Sequence, residues 1–206
     1  MDDRVDGKVD NRVEKGRATR DALVGVAREL FGERGYDGTS IGAVLEAAGV
    51  ARGALYHHFA TKEELFDAVL DREIARLSTV ATEAAAGATS PLEILRLACA
   101  AWLRMALDPA VQRITLLDAP AVVGWRRWRE IDEAHILGGL RAAIGLLAAQ
   151  GRLAEAEVDM YAHMLLAAVA EAALVIAQAD DPEAALASGQ AAVDTLLSRA
   201  LGEPSG

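Results

Sequence analysis

A chain of 206 residues, 52% of them hydrophobic and only 4% aromatic, is long enough for one sizeable core or for a small domain joined to a larger one. Alanine and leucine dominate and alternating Val-Ile-Thr runs are scarce, which argues against a β-rich fold and for an all-α protein. A single cysteine, Cys99, excludes an internal disulfide framework, and the net charge of −10 argues at first sight against a polyanionic partner.

The N-terminal "MDDRVDGKVDNRVEKG" has no apolar stretch, so it is not a signal peptide, and residues 1–16 are read as a disordered arm. Thr19 is placed as the N-cap of a first helix. Its Leu23, Val26, Ala27, Leu30 and Phe31 recur at the spacing of one buried stripe, and Gly35 closes it. Thr39 or Ser40 then caps a short helix from Ile41 to about Ala48, which Gly49 stops. A third helix runs from about Arg52 to His58. Thr61 and Glu64 form a capping box opening a fourth, whose apolar stripe from Leu65 to Leu77 carries it toward residue 85.

"GATS" at 87–90 reads as a break. Beyond it a capping residue followed by proline occurs three times, at Ser90-Pro91, Asp108-Pro109 and Asp181-Pro182, predicting helices from about 91, 109 and 182. Pro120 is expected to open another helix reaching Gly151, and a further one fills about 155–179. The expected total is nine helices, four N-terminal and five C-terminal. The longest apolar run, "MLLAAVAEAALVIAQA", contains Glu171 and falls short of the roughly 20 residues of a membrane span. A soluble, cytoplasmic protein with no membrane partner is the expectation.

The acidity is uneven. Residues 12–62 hold eight Lys/Arg against six Asp/Glu, whereas residues 63–206 hold eleven against twenty-one. A mildly basic N-terminal module on an acidic body remains compatible with DNA, because phosphate contacts depend on local charge.

The pair of short helices at 41–48 and 52–58, joined through Gly49, matches a helix-turn-helix. A seven-residue helix, about 10 Å long, cannot persist alone in water and has to be held by packing. Leu55, Phe59 and Val50 are placed to lock it against Val44, Leu45 and Ala48. Arg52, Gly53, Ala54, Tyr56 and His57 are left for solvent, with small residues leading where a duplex backbone would approach and donors behind them. Lys62, at the start of the fourth helix, adds a charge beside free N–H groups. Thr39 and Ser40 complete the surface assigned to DNA. The adjacent histidines do not suggest a metal site: their side chains point about 100° apart, with no ligand at suitable spacing. His58 has a second reading, as a structural residue packed on the first helix.

The segment "TSIGAVLEAAGVARGALYHHFATKEELF" resembles the helix-turn-helix of the TetR family of transcriptional regulators. The family pattern falls on Thr39, Val44-Leu45, Ala48-Gly49-Val50, Gly53, Tyr56, His58-Phe59 and Lys62 with Leu65. The resemblance covers about residues 17–77. Ala51 stands where the family commonly has serine, and Leu45 where a small alanine is usual, which bears on affinity and docking angle. The resemblance implies an N-terminal three-helix DNA-binding domain over 17–77 and a C-terminal helical domain over 78–206. It also implies a homodimer placing two recognition helices in successive major grooves, with an effector often bound in the C-terminal domain.

In that C-terminal part, "GWRRWREIDEAH" brings Trp125, Trp128 and Asp132 within two turns. Trp102, Met105, Tyr161, His163 and Met164 lie on neighbouring expected helices, and the set suits an effector pocket; an ordinary core built from few aromatics is the other reading. Glu171 either pairs with an arginine, faces a cationic effector or faces solvent. The alanine- and leucine-rich helices of about 155–201 suit a four-helix bundle between two subunits. Taken together the chain reads as a DNA-binding repressor released from a near-palindromic operator by a small molecule, with no metal and no cofactor. The competing readings are an effector-independent regulator and a helical enzyme or ligand carrier, the latter lacking any catalytic signature.

Overall fold

The computed structural model describes residues 3–202, and among these all regular structure is helical. Nine helical segments follow one another among the described residues: α1 (Asp3–Gly38, broken at Gly35, whose φ is 73°, where the sequence reading ends it), α2 (Ile41–Ala48), α3 (Arg52–His58), α4 (Lys62–Ala84), α5 (Pro91–Met105), α6 (109–122), α7 (124–149), α8 (Glu155–Ala177) and α9 (Pro182–Leu201). The caps explain most of the starts. Ser40, Thr61, Ser90, Asp108 and Asp181 each accept a backbone N–H of the first helical turn, and proline follows the last three.

Two starts differ from the sequence reading. α1 begins upstream of Thr19, at Asp3, with no proline to stop the helix, so the segment expected as a disordered arm is helical over its described part. Thr19 lies inside it and donates its hydroxyl back to the Lys15 carbonyl at 2.9 Å. Pro120, expected to open a helix, sits instead in the last turn of α6. The preceding stretch Gln112–Asp118 widens to i→i+5 hydrogen bonding, which makes room for a ring that would clash in a regular α-helix. The break falls at Gly124, whose φ of 75° is open to glycine and strained for other residues.

The helices enclose two cores. The first gathers Leu23, Phe31, Val44, Leu55, Phe59, Leu65, Phe66 and Leu70 of α1–α4, and takes in Val111, Ile114, Ala119 and Ile131 from α6 and α7. The second lies among α5, α7, α8 and α9 around Leu95, Leu103, Ile144, Leu165 and Leu197. α6 is seated tightly on α1: a Cβ on Gly32 would stand 2.6 Å from the Cβ of Ala110, so only glycine allows this approach. Asp118 accepts the Tyr36 N–H at 2.7 Å, and Arg28 reaches from α1 to Glu73 of α4 (2.7 Å) and Asp108 before α6 (3.2 Å).

α8, counted from Glu155, has the length and composition to cross a membrane, beyond what its longest apolar run suggested. One face, with Ala162, Leu165, Val169, Ala173 and Ile176, is buried in the second core. Met160, Met164 and Val175 are 62%, 58% and 58% exposed on the other.

Candidate nucleic-acid interface and ligand cavity

α3 is held from behind as its length demands. Leu55 is fully buried and Phe59 nearly so, against Val44, with Leu45, Ala48 and Val50 partly buried around them. Arg20 of α1 lies over the Phe59 ring at 5.2 Å. Arg52, Gly53, Tyr56 and His57 are exposed, Ala54 half-buried. Tyr56 is 46% exposed and its ring lies 5.7 Å from the Arg52 guanidinium, so the two form one outward unit. Ala51, without a hydroxyl, leaves the start of α3 with no side-chain cap. His58 leans toward α1, its Cε1 within 3.9 Å of where a Cβ on Gly16 would stand, as the structural reading expected.

Three residues assigned to the DNA surface have other engagements. Thr39 is 1% exposed, and its hydroxyl bonds the carbonyls of Leu30 (3.0 Å) and Gly35 (2.8 Å), tying the start of α2 to the end of α1; its side chain does not reach the surface. Lys62 donates to the carbonyls of Tyr36 (2.9 Å) and Thr39 (3.2 Å) and lies 3.9 Å from the Tyr36 ring centre, because its stem lies back along the α1–α2 connection. Ser40 is exposed, with its oxygen accepting the Ala43 N–H at 3.1 Å.

Of the seven residues expected at an effector pocket, Trp102, Trp125 and Trp128 line one cavity of about 190 Å³ between α4, α5, α6, α7 and α8. Met105 packs against the first core instead, and Tyr161 against the second. His163 accepts from Arg129 at 2.6 Å, and Met164 is exposed, on the outer side of α8. Residues 125, 128, 129, 132 and 136 share one face of α7 and all reach this cavity, a spacing visible in the sequence once the helix is placed. Trp125 and Trp128 meet edge to face at 5.3 Å, and Arg129 lies over Trp125 at 5.4 Å. Burial pushes the Asp132 carboxyl up to about 6, against the pull of Arg129, whose Nη1 is 3.6 Å away.

The opposite face of α7 holds α4. Arg127 donates twice to Asp67, His135 pairs with Asp71 at 3.0 Å, and the His135 carbonyl accepts the Ser78 hydroxyl at 2.7 Å. Between Asp132 and Gly138 the helix again widens to i→i+5 bonding, a deformation often found beside ligand sites. The Glu73 carboxyl of α4 is buried, which raises its pKa, but Arg28 and Arg76 more than offset this and hold it below its ordinary value.

Known proteins resemble this chain along most of its length. Residues 23–69 match the family described as bacterial regulatory proteins, tetR family, and residues 92–200 match the tetracyclin repressor-like C-terminal domain. The transposon Tn10 TetC protein of Escherichia coli is 26% identical over 152 residues, which is 74% of this chain and 77% of TetC. The transcriptional repressor AcnR of Corynebacterium glutamicum is 39% identical over 70 residues, only 34% of this chain and 37% of AcnR. A crystal structure of a TetR-family transcriptional regulator from Pectobacterium atrosepticum superposes with a TM-score of 0.79 at 37% identity, covering 93% of this chain and 98% of that one. With a braced α3, both parts of the chain matched and a well-related structure superposing over nearly its full length, the protein belongs to the TetR family of DNA-binding transcriptional regulators.

Proposed function

We propose that this regulator is a repressor which binds a near-palindromic operator as a homodimer and leaves it when a small molecule fills the cavity walled by its tryptophans. The observation that carries the reading is the division of α3: Leu55 is buried, whereas Arg52, Gly53, Tyr56 and His57 face outward. Arg52 suits a guanine edge or a phosphate, Tyr56 and His57 suit phosphate oxygens, and Gly53 admits close backbone approach. Thr39 and Lys62 act behind this surface, fixing the angle at which α2 and α3 are offered.

The exposed faces of α8 and α9, with Met160, Met164, Val175 and Leu196, support pairing of two subunits as a four-helix bundle. The two α3 helices would then lie about 34–36 Å apart, one duplex turn. Release follows from α7, which carries cavity residues on one face and grips α4 with the other. A ligand that shifts α7 moves α4, and with it the spacing of the two α3 helices. By linkage, operator DNA weakens ligand binding by the same factor. The site of action is the cytoplasm, where the operator lies.

Fluorescence anisotropy on DNA from the gene's own upstream region tests the interface. Arg52→Ala and Tyr56→Phe are expected to weaken binding about tenfold, and affinity to fall steeply with salt. Wild-type affinity in both variants, or a flat salt dependence, would overturn the assigned surface.

A further inference from the structure

α1 passes beside the recognition helix as well as behind it. Its Gly16 stands against His58, whose Cε1 is 3.9 Å from where a Cβ would be, and one turn on Arg20 lies over the Phe59 ring at 5.2 Å. Around α3, at about 100° per residue, His58 falls between the buried Leu55 and the exposed face, on the side of His57. The His57 and His58 rings meet edge to face at 5.1 Å. α1 therefore flanks α3 along the edge that carries His57, and the outward surface continues from one helix onto the other.

That continuation is basic. Over residues 14–20, Lys15, Arg17 and Arg20 stand against one acid, Glu14, and all four side chains are exposed. Arg17 and Arg20 lie three residues apart, on one face of α1. Asp21, four residues beyond Arg17 and placed to neutralise it, is held instead by Arg72 of α4, which also donates to the Asp21 carbonyl at 3.3 Å. Among the described residues neither Arg17 nor Arg20 forms an ion pair. Stacking on Phe59 engages only a face of the Arg20 guanidinium, so its N–H donors, which lie in the plane, stay free for a two-pronged contact with phosphate.

We propose that α1 is a second DNA-contacting element, in which Arg17 and Arg20 bind backbone phosphates bordering the groove that α3 enters, on its His57 side. This rests on the assignment of α3 as the recognition helix. Contacts to the backbone add affinity at every sequence and carry no sequence information directly. A local positive strip matters in this chain because residues 63–206 hold eleven Lys/Arg against twenty-one Asp/Glu, a body that repels a duplex.

The test follows fluorescence anisotropy of the full-length protein across a range of salt, on DNA from the gene's upstream region and on a scrambled duplex. Arg17→Gln combined with Arg20→Gln is expected to weaken binding to both duplexes by the same factor, about tenfold or more, leaving their ratio unchanged. Across two subunits the pair removes four phosphate contacts, so the slope of log affinity against log salt should become shallower by about 3–4. Arg20→Lys keeps the charge and should keep the slope, whereas Arg20→Gln alone should flatten it. Arg104→Gln, which removes an exposed charge from α5, should leave affinity and slope at wild type. Thermal melts check that each variant is folded. An unchanged slope in the double variant, a loss confined to the upstream duplex, or a slope flattened as much by Arg20→Lys as by Arg20→Gln overturns the proposal. If Arg52→Ala and Tyr56→Phe weaken binding while the double variant does not, α1 is no contact and the α3 surface stands; if none of them weakens it, both fall.

Discussion

Arg127 and Asp67 join α7 to α4 through two parallel hydrogen bonds, Nε to Oδ1 at 2.7 Å and Nη2 to Oδ2 at 3.0 Å. Both side chains are partly open to water, so the pair contributes little to stability, about 1 kcal/mol or less. Its value lies in orientation, because a bidentate contact fixes both distance and angle. Replacing Arg127 with Ala should leave operator binding and dimerisation near wild type while reducing ligand-induced release at least fivefold. Titrating ligand into the operator complex of each protein measures this; unchanged release would assign the coupling to another contact.

Thr39 makes a different kind of contribution. Its buried hydroxyl serves two carbonyls near the end of α1, and Thr39→Val keeps the shape but leaves both without that donor. A loss of about 1–2 kcal/mol in urea unfolding is expected, with Thr39→Ser closer to wild type. Equal stability of the valine and serine variants would show that the hydroxyl is dispensable.

Asp132 predicts a pH signature. Its carboxyl is raised from 3.8 to about 6 in the folded protein, so between those values the folded state holds more protons than the unfolded one. This group's contribution therefore favours folding below about pH 4 and declines as pH rises to 6, by at most about 3 kcal/mol. Asp132→Asn removes the dependence. Its stability relative to wild type should rise between pH 4 and pH 6 and stay level above, as read by urea unfolding across that range. A difference constant with pH would mean that Asp132 is not shifted.

At the outer face of α8, Met164→Glu places a charge on a surface that is 58% exposed in the single subunit. If α8 and α9 form the subunit interface, the variant should sediment as a monomer and lose operator affinity by a hundredfold or more, while melting as a folded protein. A dimeric Met164→Glu would move the interface elsewhere.

Much of this architecture was legible because its signals are local. Cap-proline pairs such as Ser90-Pro91 and Asp181-Pro182 placed helix starts to the residue, and the bounds of α2 and α3 follow from Ser40, Gly49 and the buried Leu55. Pro120 misled because a widened turn upstream accommodates the ring, and turn widening leaves no mark in residue order. Thr39 and Lys62 carry the side chains expected of DNA contacts, yet their engagements depend on where the end of α1 passes, which is a tertiary fact. The tryptophans at 125 and 128 were found by spacing, whereas Met105 faces the other core because α5 stands between two clusters of apolar residues. Met164 had the right helix and the wrong side of it.

The contact between Gly32 and Ala110 leaves no room for a side chain. The two helices already touch backbone to methyl there, so a side chain at position 32 would have to lift α6 off α1. That displacement would carry away Val111 and Ile114, which complete the core behind α2 and α3, so this one glycine underwrites the seating of the N-terminal helices on the rest of the chain.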